Sequence, residues 1–375
     1  SGAFAIGAAG TASTLAGIPF FSDTTNGSIY THDVSGTDST AQYNTGYGLN
    51  ALDAITTSDM NTAVGYQAGS AVTTGDGNTL FGYQAGLAVT GAGAYNVCLG
   101  TQAGLAITTG IRNTMVGQAG YQFDTENDNL AIGHAALGGV VAGGEFNVAV
   151  GNYALDAVTS GDINTSVGNK AGSGVTTGSG NILFGHQAGD YSTALTTGNY
   201  NICLGSYTRT STNSTSNAIV IGTDIATVAN RVAIGKSGAL IYADFASSAT
   251  WTQSSDKRLK DSIEATNIGL DFVNELRPVT YKWKDTTTIP EELTKQKTEV
   301  NAKDTETLQY GLIAQEVKSA MDKVGHDKFT GWDLDEDDTQ CLREGQFIYP
   351  LIKAVQELSA TVTTLQQEIN TLKGE

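Results

Sequence analysis

The sequence predicts a mainly β protein, a solenoid of ~17-residue repeats followed by a small α+β domain that ends in a long helix. Three observations carry this. An asparagine followed four residues later by a glycine recurs ten times at nearly constant spacing. Forty of the 46 glycines precede residue 250. Charge changes at the same place, from five Lys/Arg and 15 Asp/Glu in residues 1–250 to 15 and 23 in residues 251–375. Two architectures therefore meet near residue 250.

The repeat pairs are Asn44/Gly48, Asn61/Gly65, Asn78/Gly82, Asn96/Gly100, Asn113/Gly117, Asn129/Gly133, Asn147/Gly151, Asn164/Gly168, Asn181/Gly185 and Asn201/Gly205, their asparagines 16 to 20 residues apart. Two looser units follow at Asn217/Gly222 and Asn230/Gly235. Before each glycine stands a large apolar residue such as Val64, Phe81 or Leu99. Two positions earlier stands a mostly β-branched one, such as Thr62, Thr79 or Val97, and the residue between is often small, as Ala63 or Cys98. This period of two predicts a short strand with one packed face. A second short segment (Tyr66 to Gly69) and a Thr/Gly turn (Thr73 to Gly77) close the unit.

A unit this short cannot bury a core alone, so neighbours must stack. At about 4.8 Å per strand, twelve turns make a rod of roughly 55–60 Å. The asparagines then form an amide ladder along it, and the glycines supply a turn that a Cβ obstructs. Each turn is thin, and several chains are expected to share one apolar axis. The units, as in Asn61-Thr-Ala-Val-Gly-Tyr-Gln-Ala-Gly69, resemble the head repeats of trimeric autotransporter adhesins and related repeats of phage fibres. That resemblance covers residues 44–235 and implies a left-handed β-roll trimer. Residues 1–43 share the composition without the register and read as a cap or connector, and 236–253 as a linker strand region.

The formal net charge of −18 argues against nucleic acid or an anionic membrane as partner, since both reward Lys and Arg. No apolar run reaches the ~20 residues of a membrane span, and Ser1 to Ile6 lacks the basic start of a signal peptide. Cys98, Cys203 and Cys341 are odd in number and far apart, which speaks against a disulfide framework.

From Ser254 the text changes. It opens on Ser254-Ser255-Asp256-Lys257-Arg258-Leu259-Lys260-Asp261-Ser262-Ile263. Leu276 to Trp283 reads as a strand, Tyr310 to Val317 as a strand passing into a helix, and Tyr349 to Leu372 as a long helix. These strings, over residues 254–375, resemble the intramolecular chaperone of endosialidase and other phage tail proteins. The resemblance implies a domain that trimerises, helps the upstream fibre to fold and then cuts itself off once, as a single-turnover serine autoprotease. The family's serine–lysine pair falls on Ser255 and Lys260, the cut on the Ser254–Ser255 bond, and Asp256 and Arg258 become helpers. A serine hydroxyl can attack the preceding carbonyl to give an ester that water hydrolyses. A lysine of depressed pKa can carry the proton. Read without the resemblance, the same residues are a solvated polar loop, and Ser254 is the rival nucleophile.

The closing helix reads in heptads over 348–373. Ile348, Val355, Val362 and Ile369 fall at a, and Leu351, Leu358, Leu365 and Leu372 at d. β-Branched a with Leu d is a dimer pattern. Small flanking residues such as Ala354, Ser359 and Thr361 leave room for a third helix, and the array favours a trimer.

Other candidates are weighed against plainer readings. Asp333, Asp335, Asp337 and Glu344 match positions 1, 3, 5 and 12 of a calcium loop, but Asp338 stands where that loop needs glycine, so a solvated acidic loop is favoured. His134 and His186 lack partners at metal spacing, and no metal or cofactor is assigned. The residues after the repeat glycines, Tyr66, Tyr83, His134 and His186 among them, form a row open to a receptor glycan or to solvent alone. The sequence is thus read as a homotrimeric phage tail fibre or spike, made in the host cytoplasm and carried in the virion. Its expected partners are other tail proteins and a host-surface glycan or protein. A polysaccharide-degrading spike and a fragment of a bacterial trimeric adhesin are the alternatives.

Overall fold

The computed structural model describes residues 13–15, 18–23, 25–31, 40–140, 142–246, 248–252, 255–291, 293, 303–335 and 338–374. The chain divides into two compact units, Ser1–Ser255 and Asp256–Glu375.

The first unit is a β-solenoid. Three-residue strands, beginning Ser28–Tyr30, Thr45–Tyr47, Thr62–Val64 and Thr79–Phe81, stack in parallel, each in register with its counterpart one repeat later. The run continues to Ile202–Leu204, Ile219–Thr223 and Arg231–Lys236. It ends in antiparallel strands Ala239–Asp244 and Ser248–Thr252, and it is preceded by the antiparallel pair Ser13–Leu15 and Ile18–Asp23. Ser28 takes the place of the asparagine in the first turn, accepting the Asn44 N–H on its Oγ at 2.9 Å.

Within each coil the middle strand residue fills the interior, as Ala63, Leu80, Cys98 and Met115 do, all fully buried. The large apolar residues on either side point outward: Phe81 is 54 % exposed, Phe184 56 % and Ile182 43 %. The packed face of the single chain is therefore the middle-residue face, because the narrow coil holds one inward side chain per strand and leaves its two neighbours outside. Two further buried columns complete the core, an alanine column (Ala68, Ala85, Ala103) and a larger apolar one (Val72, Val89, Ile107).

In several coils size is exchanged between two positions. The small middle strand residues Ala131 and Ala149 have a leucine six residues on, Leu137 and Leu155, whereas Ala63 and Ser166 are followed by Gly69 and Gly172, where leucines of the adjacent turns (Leu52 and Leu80, Leu155 and Leu183) fill the space. Where the middle strand residue is large, as Leu80 and Leu183, that position is Gly86 or Gly189, and in the shorter coil of Met115 the corresponding glycine is Gly120, five residues on. A Cβ on Gly86 would strike the Leu80 side chain.

The recurrent glycine after the strand is a backbone requirement. Gly65 has φ +137°, and a Cβ there would collide with the carbonyl of Gly82 in the next turn.

Two hydrogen-bonded strings run beside the strands in opposite directions. In one, each asparagine donates back to the carboxamide oxygen of the asparagine before it, from Asn61 on Asn44 to Asn201 on Asn181. Beyond it Ala218, not Asn217, donates its N–H to Asn201 Oδ1, and Asn217 occupies the left-handed position just before the column. In the other string the backbone N–H donates forward to the next turn, as Gln42 to Asp59, Asp59 to Asp76 and Ser179 to Asn199, each at 2.7 Å.

The second unit contains helices α1 (Leu270–Glu275), α2 (Ala314–Val324) and α3 (Ile348–Lys373). The strand Val279–Tyr281 pairs antiparallel with Gln309–Gly311, and Trp332–Leu334 with Gln340–Leu342. Its core is a knot of Phe272, Phe329 and Phe347 over Val317, Ala320 and Met321. Phe329 stands edge-on to both other rings, at 5.2 and 5.1 Å. No helix among the described residues is long and apolar enough to cross a membrane.

Candidate cleavage and folding site

The segment opening the second unit is built on one short turn. Asp256 precedes a 3-10 helix, Lys257–Leu259, and its Oδ1 accepts the Arg258 N–H at 2.8 Å. Asp and Asn favour this place because a short carboxyl or amide reaches the unpaired N–H groups of a helix start. The Arg258 side chain folds back on the same carboxylate, with Nε to Oδ1 at 3.0 Å and an Nη to Oδ2 at 2.6 Å. These bonds hold the Asp256 carboxyl below the usual carboxylate range and raise the guanidinium. An ion pair this exposed adds little stability, but it fixes the local conformation. Lys260 closes the turn, donating its backbone N–H to the Lys257 carbonyl at 3.1 Å.

Ser255 and Lys260 thus stand on either side of a single turn, and both are exposed. The structure brings Asp256 and Arg258 together directly. Ser254 lies outside the described residues. A lysine works as a base when removed from water, since desolvation disfavours the ammonium.

Every heptad position of α3 is exposed, from Ile348 (54 %) through Val362 (60 %) to Leu372 (88 %). These residues form a continuous apolar stripe along one face of α3. Beside the start of α3 is an apolar groove of about 690 Å³ lined by Leu276, Val279, Tyr310, Leu312, Phe347 and Leu351. Glu357 of α3 accepts the Leu270 N–H at 2.8 Å, so the long helix caps the start of α1. Its carboxyl is held low first by that bond. No sequence signal joins these two residues, 87 apart.

The acidic stretch is a β-hairpin, not a loop between helices. Asp333 lies in Trp332–Leu334 and is engaged by Arg343, Asp335 turns the hairpin with its N–H on the Thr339 carbonyl at 2.9 Å, and Glu344 opens a 3-10 turn. Asp337 lies outside the described residues, among which no cluster of three metal-type side chains occurs.

Residues 255–326 match the family model described as the chaperone of endosialidase. The match begins at Ser255 and takes in the 3-10 turn, α1, the first strand pair and α2. No curated protein and no solved structure matches the chain.

Proposed function

We propose that this chain is a phage tail fibre or spike protein whose solenoid serves in host attachment and whose last unit is an intramolecular chaperone that assembles three chains and then releases itself. The observation that carries the reading is the chaperone-of-endosialidase match at residues 255–326, following a repeat solenoid. Two exposed apolar surfaces support assembly. One is the α3 stripe, and the other is the outward row of strand residues such as Phe81, Leu99, Ile182 and Phe184.

In the release step, Ser255 Oγ attacks the Ser254 carbonyl carbon and Lys260 Nζ, as the free amine, takes the hydroxyl proton. The C–N bond breaks, the proton passes to the departing nitrogen, and Ser255 gains a free amino group while an ester joins its Oγ to Ser254. Water then hydrolyses the ester, leaving a carboxylate on Ser254. The exposure of both residues in the single chain fits a step that waits for assembly, when neighbouring chains can strip water from the lysine.

A denaturing gel of the purified protein tests this. The parent chain is expected to give a fragment starting at Ser255, absent from both Ser255→Ala and Lys260→Ala. A parent chain that assembles but never fragments removes the release step.

A further inference from the structure

We infer that the corner column running from His134 to Tyr207 is a binding track for an extended, electrically neutral oligosaccharide. The inference rests on the attachment reading above and places it on named residues.

The column lies one and two residues beyond the repeat glycine, with Tyr191 and Arg209, six and four residues beyond theirs, beside its last turn. Its continuity is set by backbone bonds between turns. Tyr153 donates its N–H to the His134 carbonyl at 2.9 Å, Lys170 to Asn152 at 2.9 Å and Tyr207 to His186 at 3.0 Å. In the earlier turns this line carries a self-satisfied amide ladder, Gln84 on Gln67 at 2.9 Å, Gln102 on Gln84 at 3.2 Å and Gln118 on Gln102 at 3.3 Å, beside one stacked pair, Tyr66 and Tyr83. From His134 onward the ladder gives way. Edge-to-face ring pairs replace it, His134 with Tyr153 at 5.2 Å and His186 with Tyr207 at 5.1 Å. The two pairs stand three turns apart, about 14 Å at the strand spacing. Between them Asn152, Asn169 and Lys170 are exposed.

The second pair is enlarged. The step from Asn181 to Asn201 is the longest in the array at 20 residues, and the added chain brings Tyr191, 41 % exposed, against Tyr207 at 4.7 Å. Arg209 lies over the Tyr191 ring at 5.4 Å and is fixed by Asp224 at 2.8 Å.

Sequence bias points the same way. Between residues 113 and 230 the chain has two cations, Lys170 and Arg209, and two histidines, 134 and 186; three of the four lie on this column and Arg209 lies beside it. Asp224 pairs with Arg209, and Lys170 and Asp190 both act on the carboxyl of Asp156, which burial raises. The track thus carries no net positive charge and is not built for a polyanion. The exposed imidazoles of His134 and His186 and the ring of Tyr153 offer faces to the C–H side of a sugar, and the Asn152 Nδ2 and Lys170, with those imidazoles, match adjacent hydroxyls. A pyranose is about as long as one turn is high, so successive sugars meet successive turns.

The full-length protein is applied to an array of defined neutral and acidic oligosaccharides, beside Tyr153→Ala, Tyr207→Ala and Tyr83→Ala. Tyr83 stacks on Tyr66 at 5.6 Å in the earlier turns and serves as control. The expected result is binding of neutral chains of about four or more sugars, the length that spans three turns. Binding falls at least tenfold in Tyr153→Ala and Tyr207→Ala and is unchanged in Tyr83→Ala, with native mass the same in all. The track is overturned if only acidic chains bind, if nothing binds, or if all three variants bind like the parent. A protein that assembles and releases its chaperone yet fails here removes the track and leaves the proposed assembly and release standing. One that binds sugar without assembling does the reverse.

Discussion

Asn61 donates both its backbone N–H and its Nδ2 to the carboxamide oxygen of Asn44, at 2.9 and 3.1 Å. Asn78 does the same to Asn61 and Asn201 to Asn181. The second Nδ2 hydrogen goes to a carbonyl of the following turn, as from Asn96 to Gly110 at 2.8 Å. Each buried amide thereby satisfies backbone groups of the following turn and bonds the side-chain amide of the preceding one.

Asn113→Ala strips the acceptor from the Asn129 N–H (3.0 Å) and the donor from the Glu126 carbonyl (2.7 Å). Two buried groups left unpaired cost about 2–4 kcal/mol. Asn213→Ala, at an exposed turn position, is expected to stay within about 0.5 kcal/mol. Unfolding midpoints of the two variants check this, and equal shifts would sink the ladder as a stabilising element.

The exchange of size between Leu80 and Gly86 makes a reciprocal prediction. Leu80→Ala opens a cavity in a closed coil and is expected to cost about 2–5 kcal/mol. Adding Gly86→Leu rebuilds the arrangement of Ala149 with Leu155, whose leucine holds φ +50° much as Gly86 holds +58°. The double variant should recover most of the loss, whereas Gly86→Leu alone collides with Leu80. A double variant less stable than Leu80→Ala would refute the exchange. The measurement is the unfolding midpoint of all three.

The asparagine ladder and the strand positions were legible in the sequence because one residue type recurs where only a short amide bonds both neighbours. The forward-donating string was not, because any short oxygen serves there: Asp59, Asp76 and Asp162 share it with Asn199 and Ser216. Which strand face is interior was also hidden, since hydrophobicity marks Phe81 and Phe184 while the interior takes the residue between the flanking pair, small as Ala63 or large as Leu80 and Leu183. At the candidate cleavage site, Ser255 and Lys260 came from resemblance alone. The Asp256 cap is a local signal that sequence carries, and the Glu357 cap on α1 is a tertiary contact that it does not.

Cys98 and Cys203 sit at the interior strand position, and burial pushes both thiols from 9.0 up to about 12. A brief pulse of iodoacetamide at pH 8 should label Cys341, which is exposed, and reach the other two only after unfolding. The sign of the pH effect follows. Unfolded thiols lose their protons near pH 9 while folded ones keep them to about 12, so stability present below pH 9 is lost as pH climbs between those values. The loss approaches ~1.4 kcal/mol per pH unit per cysteine. A Cys98→Ala/Cys203→Ala variant should lose less stability than the parent between pH 8 and pH 10.5, and parallel declines would contradict the burial effect.

Val362 is 60 % exposed on α3, so a charge there costs the single chain almost nothing. In an assembled coil the same side chain is a core knob, and burying a carboxylate without a partner is prohibitive. In a Ser255→Ala background, which keeps the chaperone attached, native mass spectrometry of the 38.9 kDa chain should show a trimer. Val362→Asp should give mostly monomer with an unchanged helical signal. Phe184→Asp, on the outward strand row, tests whether the solenoids also associate: their independent contact predicts a trimer held at α3 but sensitive to protease in the array. A dimer in the parent would mean that β-branched a residues with leucine d set the number of chains, and the three-chain axis would have to be given up.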